Sequence, residues 1–214
     1  MYVPEAFAER RPAVLHAAIR RIGFASLVSH GADGLQASHI PTLLNEAAGA
    51  LGVLEGHFAR ANPHWRSLSD GDEVLALYTA ANAYISPSWY PAKAETHKVV
   101  PTWNYLAVQA RGRIEIFDEA AALTDLVTRL TAAHEAGRAE PWAVTDAPAD
   151  FIQSMVRGIV GFRLTLTRLD GAWKMSQNRP AADQAGVVAG LAADHDPRSD
   201  AVAAVMNALP PEEA

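Results

Sequence analysis

The chain contains no cysteine, which removes disulfides, thiolate metal ligands and cysteine nucleophiles from consideration. It also lacks any apolar run of about 18 residues, the length from which a membrane-spanning helix is recognised. Its opening residues, MYVPEAFAERRP, include acids where a signal peptide would be basic and then apolar. These absences predict a cytoplasmic protein with no membrane segment.

Positive charge is also scarce. The formal net charge is −6, and the basic residues are scattered except for the pairs Arg10-Arg11 and Arg20-Arg21. A DNA-binding domain usually presents a basic face, because neutralisation of phosphates supplies much of its affinity. No helix-turn-helix pattern stands outside the predicted core elements either. Direct binding to DNA is therefore not expected.

Several catalytic signatures are missing. The sequence has no G-x-S-x-G elbow, no glycine-rich P-loop and no G-x-G-x-x-G dinucleotide motif. His39 and His57, on adjacent predicted strands, could bind a metal or polarise a ring carbonyl. The histidines lack the spacing of a metal site such as HExxH, so no metal is predicted. Three other histidines are expected to face solvent: His64, His97 and His134.

What the sequence does contain is enough apolar material for a large core, since half of its 214 residues are hydrophobic. Apolar positions between Val14 and Ile22 recur at helical spacing, and Gly23 ends that helix. Shorter β-rich segments follow. The predicted strands of the first half are 24–30, 35–44, 51–59, 73–79 and 83–89, with a loop at 31–34.

The second half begins with one or two long strands over 99–117. Asp118 is predicted to cap a helix that ends at Gly137, and a second helix covers 150–157. A strand over 159–169 would turn at Asp170-Gly171 and pair back through 172–178. A weak helix over 197–214 would fray at its acidic end. The pattern predicts a mainly β protein with peripheral helices, a closed or split barrel.

Aromatic residues are concentrated in YISPSWYPAKAETHKVVPTWNY, residues 84–105, although only 7% of the chain is aromatic. Such a stretch is either a loop-rich corner of the core or a surface that receives a flat ligand with polar edges. WKMSQN, residues 173–178, repeats the combination of tryptophan, lysine and amides. Core packing explains the tryptophans, but it does not explain the amide and cationic side chains beside them.

GHFARANPHW, residues 56–65, offers a candidate phosphate site. Arg60 and Asn62 follow a predicted strand, and Pro63 opens a short helix whose free N–H groups favour an anion. In the alternative interpretation, Asn62 only caps the helix and Arg60 is a solvated charge. The segment alone favours this alternative.

Taken together, these motifs resemble the PaiB family of FMN-binding proteins, often described as negative transcriptional regulators. The resemblance covers residues 1–191 and rests on several motifs in the same order. They are MYVPEAF, SHIPTLL, GHFARANPHW, YISPSWY, KVVPTWNY, IVGF, KMSQNRP and GVVAGL. One departure is Gln184, which follows Asp183 where relatives commonly have arginine.

The resemblance implies an FMN-binding split β-barrel that forms a homodimer with FMN at the subunit interface. It places Ser38, His39, Ile40 and Thr42 along the flavin strand, and His57, Arg60 and Asn62 near the ribityl phosphate. The remaining pocket residues, some from the partner chain, would be Thr102, Trp103, Asn104, Lys174, Ser176 and Gln177. The expected domain spans 1–194 and is followed by a helical tail, 195–214.

Three functional hypotheses follow. The chain is an FMN-binding regulator that acts through its flavin and not by reading DNA, a flavin-dependent oxidoreductase, or a haem protein with His39 or His57 as axial ligand. The candidate phosphate site at Arg60 and Asn62 favours FMN over haem. Apart from His39 and His57, the sequence offers no evident general acid or base.

Overall fold

The computed structural model describes residues 1–31 and 34–208 and is dominated by β-structure. The strands are β1 (Ala8–Glu9), β2 (Phe24–Gly31), β3 (Gly34–Pro41), β4 (Leu43–Asn45), β5 (Val53–Ala59), β6 (Glu73–Ile85), β7 (Thr102–Phe117) and β8 (Ile159–Lys174). The helices are α1 (Pro12–Ile22), α2 (Ala92–Thr96), α3 (Ala120–Glu135), α4 (Ala149–Val156), α5 (Ala181–Ala193) and α6 (Pro197–Ala208). No helix in these ranges is long and apolar enough to cross a membrane.

The strands form one sheet in the order β3-β2-β6-β7-β8-β5-β4, and β1 pairs with β8 outside this path. The ladders between β2 and β3, β2 and β6, β4 and β5, and β5 and β8 are antiparallel. Within the described ranges, no ladder joins the two ends of the path. The prediction of a mainly β fold with helices around it is confirmed.

The chain separates into two compact units. The first unit comprises Met1–Arg11, Thr79–Val108 and Asp170–Ala214, and the second comprises Pro12–Tyr78 and Gln109–Leu169. The strands β6, β7 and β8 contribute residues to both units.

In the second unit, α1 forms as its apolar spacing predicts. Leu15 and Ile19 are each 1% exposed, so one face of the helix lies in the core. The N–H of Gly23 donates to the carbonyl of Ile19 over 2.8 Å, and its φ of +65° is a conformation that glycine adopts without strain. The helix therefore ends where the sequence indicates.

A second apolar layer of this unit lies under α3 and α4. Phe117, Leu123, Leu126 and Val156 form one buried cluster. The neighbouring strand β8 has a glycine at 161 for steric reasons, because a Cβ there would lie 2.3 Å from the Phe117 ring.

The first unit packs α5 against the short 3₁₀ turn Pro87–Trp89. A Cβ at position 186 would lie 2.1 Å from the Trp89 carbonyl oxygen, and one at position 190 would lie 2.3 Å from the indole ring. Only glycine permits this approach at either position. Val187 and Leu191 of the same helix are fully buried. The short turn at the start of the aromatic stretch is therefore held by helix packing.

The predicted hairpin at Asp170-Gly171 is wrong. β8 continues without a turn from Ile159 to Lys174, and Gly171 pairs with Glu9 of β1. An Asp-Gly pair favours a turn locally, but here the N-terminal strand supplies ladder partners that extend the strand.

Other boundaries also differ from the prediction. The segments 73–79 and 83–89 belong to a single strand, β6, that ends at Ile85. The segment 35–44 is divided at Thr42, whose N–H donates to the Gly23 carbonyl over 2.7 Å instead of extending a ladder. Asp118 does not cap α3, because Glu119 occupies that position and no side chain accepts a capping hydrogen bond.

The long strand over 99–117 is confirmed as β7, and the predicted helix near 150–157 is confirmed as α4. The terminal helix is confirmed as far as Ala208, and its acidic end lies outside the described residues. The middle of the predicted loop at 31–34 also lies outside them.

Candidate functional site

The second unit contains a buried polar network centred on His64. The side chain of His64 is only 2% exposed, so its predicted solvent-facing position is wrong. Its Nε2 lies 2.8 Å from Ser29 Oγ and its Nδ1 lies 2.8 Å from Ser38 Oγ. The ring packs edge-on against Phe58 with 5.4 Å between centroids. His64 thus connects β2 and β3 from inside the unit.

The hydrogen bonds around Asn62 favour one tautomer of His64. Asn62 Oδ1 accepts from the His64 N–H over 3.0 Å, so its Nδ2 faces Ser38 Oγ, to which it donates over 2.9 Å. The Ser38 hydroxyl can then donate its own hydrogen to His64 Nδ1, which leaves Nε2–H to donate to Ser29. Burial lowers the pKa of His64, in agreement with a neutral ring.

The predicted flavin strand, β3, places its side chains on alternate faces. Ser38 and Ile40 are buried, whereas His39 is exposed. His39 Nδ1 lies 3.0 Å from Ser26 Oγ on the neighbouring strand. Thr42, just beyond the strand, is buried and shares a 2.8 Å hydrogen bond with the Tyr78 hydroxyl. His39 is therefore the polar residue of this set that solvent reaches.

His57 lies on β5 opposite Gly161 of β8. Its Nδ1 is buried and has no hydrogen-bond partner among the described residues. Burial lowers the pKa of this imidazole. An unpaired buried ring nitrogen costs free energy unless a ligand or water completes it.

Arg60 is held by backbone carbonyls. Its Nε donates to the Arg157 carbonyl over 2.8 Å and its Nη2 to the Ile159 carbonyl over 2.9 Å. Its Nη1 lies 3.5 Å from the Asp118 carboxylate. Asn62 caps the five-residue 3₁₀ turn Pro63–Ser67, as the alternative interpretation of this segment holds. The guanidinium thus joins the ends of β5 and β8 and is partly neutralised.

In the first unit, β7 and β8 bring Thr102, Trp103 and Lys174 together. The Lys174 ammonium donates to Thr102 Oγ1, and to the Trp103 carbonyl over 2.8 Å. These two bonds leave one of its three N–H donors without a partner in the part of the chain that the structure describes. Burial, and secondarily the positive charge of Arg179, lower the pKa of Lys174.

Beside this lysine, Asn104 and Ser176 form a buried amide-hydroxyl pair. Asn104 is fully buried, and its Nδ2 donates to Ser176 Oγ over 3.0 Å. Ser176 has a φ of +64°, an uncommon conformation for a residue with a Cβ. Left-handed backbone of this kind, supported by buried hydrogen bonds, is often found where a chain shapes a binding site.

The turn after Ser176 is closed by amides. Gln177 Oε1 accepts from the Met175 N–H over 2.7 Å, and its Nε2 donates to the Trp173 carbonyl. Gln184, which departs from the family pattern, donates to the Arg179 carbonyl over 2.8 Å. Gln177 and Gln184 therefore fix the backbone of the SQNRP segment.

An exposed aromatic face adjoins this cluster. Trp103 is 45% exposed and Tyr84 is 49% exposed, and their rings meet edge-on with 6.3 Å between centroids. Large aromatic rings at this exposure can cover the apolar part of a ligand. In the described ranges, no group of acidic and histidine side chains could hold a metal ion.

The predicted site residues therefore fall into two groups, each within one unit. The group in the second unit is Ser38, His39, Ile40, Thr42, His57, Arg60 and Asn62, to which the structure adds His64 and Ser29. The group in the first unit is Thr102, Trp103, Asn104, Lys174, Ser176 and Gln177, to which it adds Tyr84. No local signal in the sequence could have found His64, because its partners Ser29 and Ser38 lie far away in the chain, on strands that tertiary pairing brings together.

The chemistry of these residues fits FMN. A flavin has an aromatic ring, a polar edge with donors and acceptors, and a phosphate. The group in the second unit supplies the exposed His39, the half-buried Arg60 and Asn62, and the unpaired His57 Nδ1. The group in the first unit supplies an aromatic face and an ammonium N–H without a partner among the described residues. FMN, when bound, supplies redox chemistry, while the chain supplies stacking, hydrogen bonds and charge.

A mainly antiparallel sheet of this order, with helices around it, defines a protein of the split-barrel fold class. Residues 1–168 match the family described as "Putative FMN-binding domain", and the chain belongs to that family, with FMN as its cofactor.

Similar proteins agree with this assignment. The chain is 29% identical over 206 residues, 96% of each chain, to the protease synthase and sporulation protein PAI 2 of Bacillus subtilis. A conserved hypothetical protein of Mycobacterium tuberculosis has a similar structure, with a TM-score of 0.58 and 12% identity over 84% of this chain and 94% of that one. An FAD- and haem-binding protein of Mycobacterium smegmatis has a TM-score of 0.56 and 15% identity over 78% and 73%.

Proposed function

We propose that the protein is a cytoplasmic FMN-binding homodimer that regulates gene expression through its bound flavin. The observation that carries this proposal is the Lys174 ammonium, held by Thr102 and Trp103 with one N–H free beside an exposed aromatic face. A cation next to exposed aromatic rings suits a ligand that is aromatic at one end and anionic at the other.

The proposal assigns FMN contacts to both residue groups, in the same chain or the partner chain. They are Ser38, His39, Ile40, Thr42, His57, Arg60, Asn62, Thr102, Trp103, Asn104, Lys174, Ser176 and Gln177. We further propose that residues 1–194 fold as one domain with a helical tail over 195–214.

Regulation without direct DNA reading fits the charge of the chain. Its net charge is −6, and phosphate contacts by Lys and Arg supply most non-specific DNA affinity. The name of the Bacillus subtilis relative refers to protease synthesis and sporulation, which agrees with a regulatory role. We therefore place the regulatory step in the redox state of the flavin or in a protein partner.

A flavin-dependent oxidoreductase is the second candidate, and the exposed His39 favours it. Its imidazole is exposed and hydrogen-bonded to Ser26, so a substrate can reach the ring from solvent. NADH or NADPH oxidation by the wild-type protein saturated with FMN, lost in His39→Ala when that variant is also saturated with FMN, would establish this candidate.

Visible absorption of the purified protein with added FMN or haemin, followed by removal of unbound ligand, tests the cofactor. A retained flavin spectrum at one FMN per chain is expected, and a haem band would contradict the proposal. A gel shift with promoter DNA at physiological salt tests the regulatory mode. We expect no sequence-specific shift, whereas tight specific binding would show that the charge argument is wrong.

A further inference from the structure

Two cations of the first unit flank one turn: Lys174 ends β8, and Arg179 lies in the turn that follows, where its backbone N–H donates to the Ser176 carbonyl. The charge of Arg179 acts on Lys174, and neither side chain forms an ion pair with a described residue. Like charges repel at short range, and the repulsion grows where burial excludes water. Such a pair is stabilised when an anion binds between or beside the two cations.

Three other arginines of the chain already have partners for their charge. Arg129 forms a bidentate pair with the buried Glu55, with N–O distances of 2.6 and 3.2 Å. Arg198 pairs with Asp196. Arg60 donates to two carbonyls and faces Asp118. Of these three arginines, Arg60 is the one that the sequence suggests as a phosphate ligand. Its guanidinium nevertheless has more hydrogen-bond and ionic partners than the guanidinium of Arg179.

Arg179 is held in place by contacts that do not use the N–H donors of its guanidinium. Its guanidinium carbon lies 5.2 Å from the centroid of the Tyr90 ring, a distance typical of cation–π contact. Its backbone N–H donates to the Ser176 carbonyl over 3.0 Å, and its carbonyl accepts from Gln184. The guanidinium donates to no described residue, so its planar edge is free to hold a phosphate with two hydrogen bonds.

Beneath it, Tyr90 is 2% exposed and its hydroxyl has no partner among the described residues. A tyrosine buried this deeply normally finds a partner for its hydroxyl. Its unpaired hydroxyl is a second sign that this corner of the first unit is completed by something besides the chain.

We propose that Lys174 and Arg179 together hold the 5′-phosphate of FMN, with Tyr90 as the positioning residue of Arg179. This inference rests on the proposed function. It moves the phosphate from the segment around Arg60 to the turn after β8, and it gives Arg179 a binding role that the sequence motifs do not assign. In this proposal, the role of Arg60 is to hold the backbone where β5 ends and β8 begins.

Comparing FMN with riboflavin tests the proposal, because riboflavin has the same ring without the phosphate. Dissociation constants for both are measured by flavin fluorescence in the wild-type protein and in Arg179→Gln and Lys174→Gln. Each substitution is expected to weaken FMN by about 10- to 100-fold, as for lost hydrogen bonds to a charged group, and to change riboflavin by no more than about twofold. Inorganic phosphate should compete with FMN and not with riboflavin.

Three variants complete the design. Arg179→Lys keeps the charge and should recover part of the FMN affinity, which separates charge from shape. Arg198→Gln removes one cation of the same unit that is already paired with Asp196, and should leave both affinities unchanged. Arg60→Gln should change FMN and riboflavin to the same extent.

The outcomes separate the two proposals. Equal loss of FMN and riboflavin in Arg179→Gln, or no loss of either, would overturn the phosphate assignment while flavin binding stands. Selective loss of FMN in Arg60→Gln alone would return the phosphate to that segment. If the wild-type protein binds neither flavin, the proposed function itself fails.

Discussion

At the scale of the residue, the folded protein affects the protonation of His64, because the buried ring has only uncharged hydrogen-bond partners. Its ring nitrogens contact only hydroxyls, and the Ser38 hydroxyl already accepts from Asn62. Protonation of the ring would add a second N–H donor where Ser38 now donates, inside a buried environment. The folded protein therefore resists protonation of His64 more than the unfolded chain does.

The pH dependence of stability should follow from this network. Burial lowers the pKa of His64 in the folded state below the usual 6.5, so the unfolded chain binds more protons in that range. The free energy of unfolding should be greatest above pH 6.5 and fall as the pH decreases below it, by at most about 1.4 kcal/mol per pH unit for this group. Urea unfolding at pH 7.5 and 5.5 measures the difference.

The control is His64→Gln, since glutamine can still bond to serine but does not titrate. This variant should be less stable at pH 7.5 and should lose less stability on acidification than the wild type. His57, whose pKa burial also lowers, supplies the remaining dependence in both proteins. An unchanged pH profile in the variant would show that His64 does not contribute.

The role of His64 could not be predicted from sequence, for a specific reason. Its two serine partners lie 35 and 26 residues away in the chain, on strands whose register is set by tertiary pairing. Asn62, by contrast, was a foreseeable cap, because its side chain acts on the N–H only two residues later. A hydrogen bond between residues close in sequence, such as a helix cap, can be predicted from the sequence. A buried network that joins distant elements cannot.

At the scale of the element, the same distinction separates the correct from the wrong expectations. The C-terminal end of α1 follows from Gly23, a local signal. The Asp170-Gly171 hairpin was an equally local signal, and it failed because β1, from the other end of the chain, pairs with that segment. Strands depend on partners, so their boundaries are the less predictable ones.

The packing of α5 gives an element-scale prediction. Gly190→Val should destabilise the protein by about 1–3 kcal/mol, because a Cβ at 190 would lie 2.3 Å from the Trp89 indole and the helix would have to move. Urea unfolding at pH 7.5 measures the change.

Ala189→Val is the matched control, since it adds a β-branched side chain at the next, exposed position of α5. It should cost only the small helix propensity of valine, up to about 0.7 kcal/mol. Equal destabilisation by both substitutions would mean that the close contact between Trp89 and α5 is not the reason why position 190 requires glycine.

At the scale of the whole molecule, the family and the cofactor class were predictable because several ordered motifs carry them, and residues 1–168 match the FMN-binding family. The arrangement of the residues within the site was less predictable. Arg60 looked like a free phosphate ligand in sequence, yet it donates to the carbonyls of Arg157 and Ile159, nearly a hundred residues away. Arg179 received no role from the motifs.

The chain connectivity leads to a final prediction, that the two units unfold together. Neither unit is a continuous segment: the chain passes between them four times, and three of these passages fall inside β6, β7 and β8. A strand that loses its conformation in one unit carries the change directly into the other. Hydrogen exchange in low urea should therefore give the slowest amides of β5, in the second unit, and of α5, in the first, the same opening free energy.

FMN provides the control for this experiment, since a ligand that binds only the folded state raises the free energy of every opening that releases it. At 100 times its dissociation constant, FMN should raise the opening free energies of β5 and α5 alike by about 2.7 kcal/mol. If α5 opened at a clearly lower free energy than β5, or if FMN protected only one of them, the units would be separate folding domains. The flavin would then bind to one of them without stabilising the other.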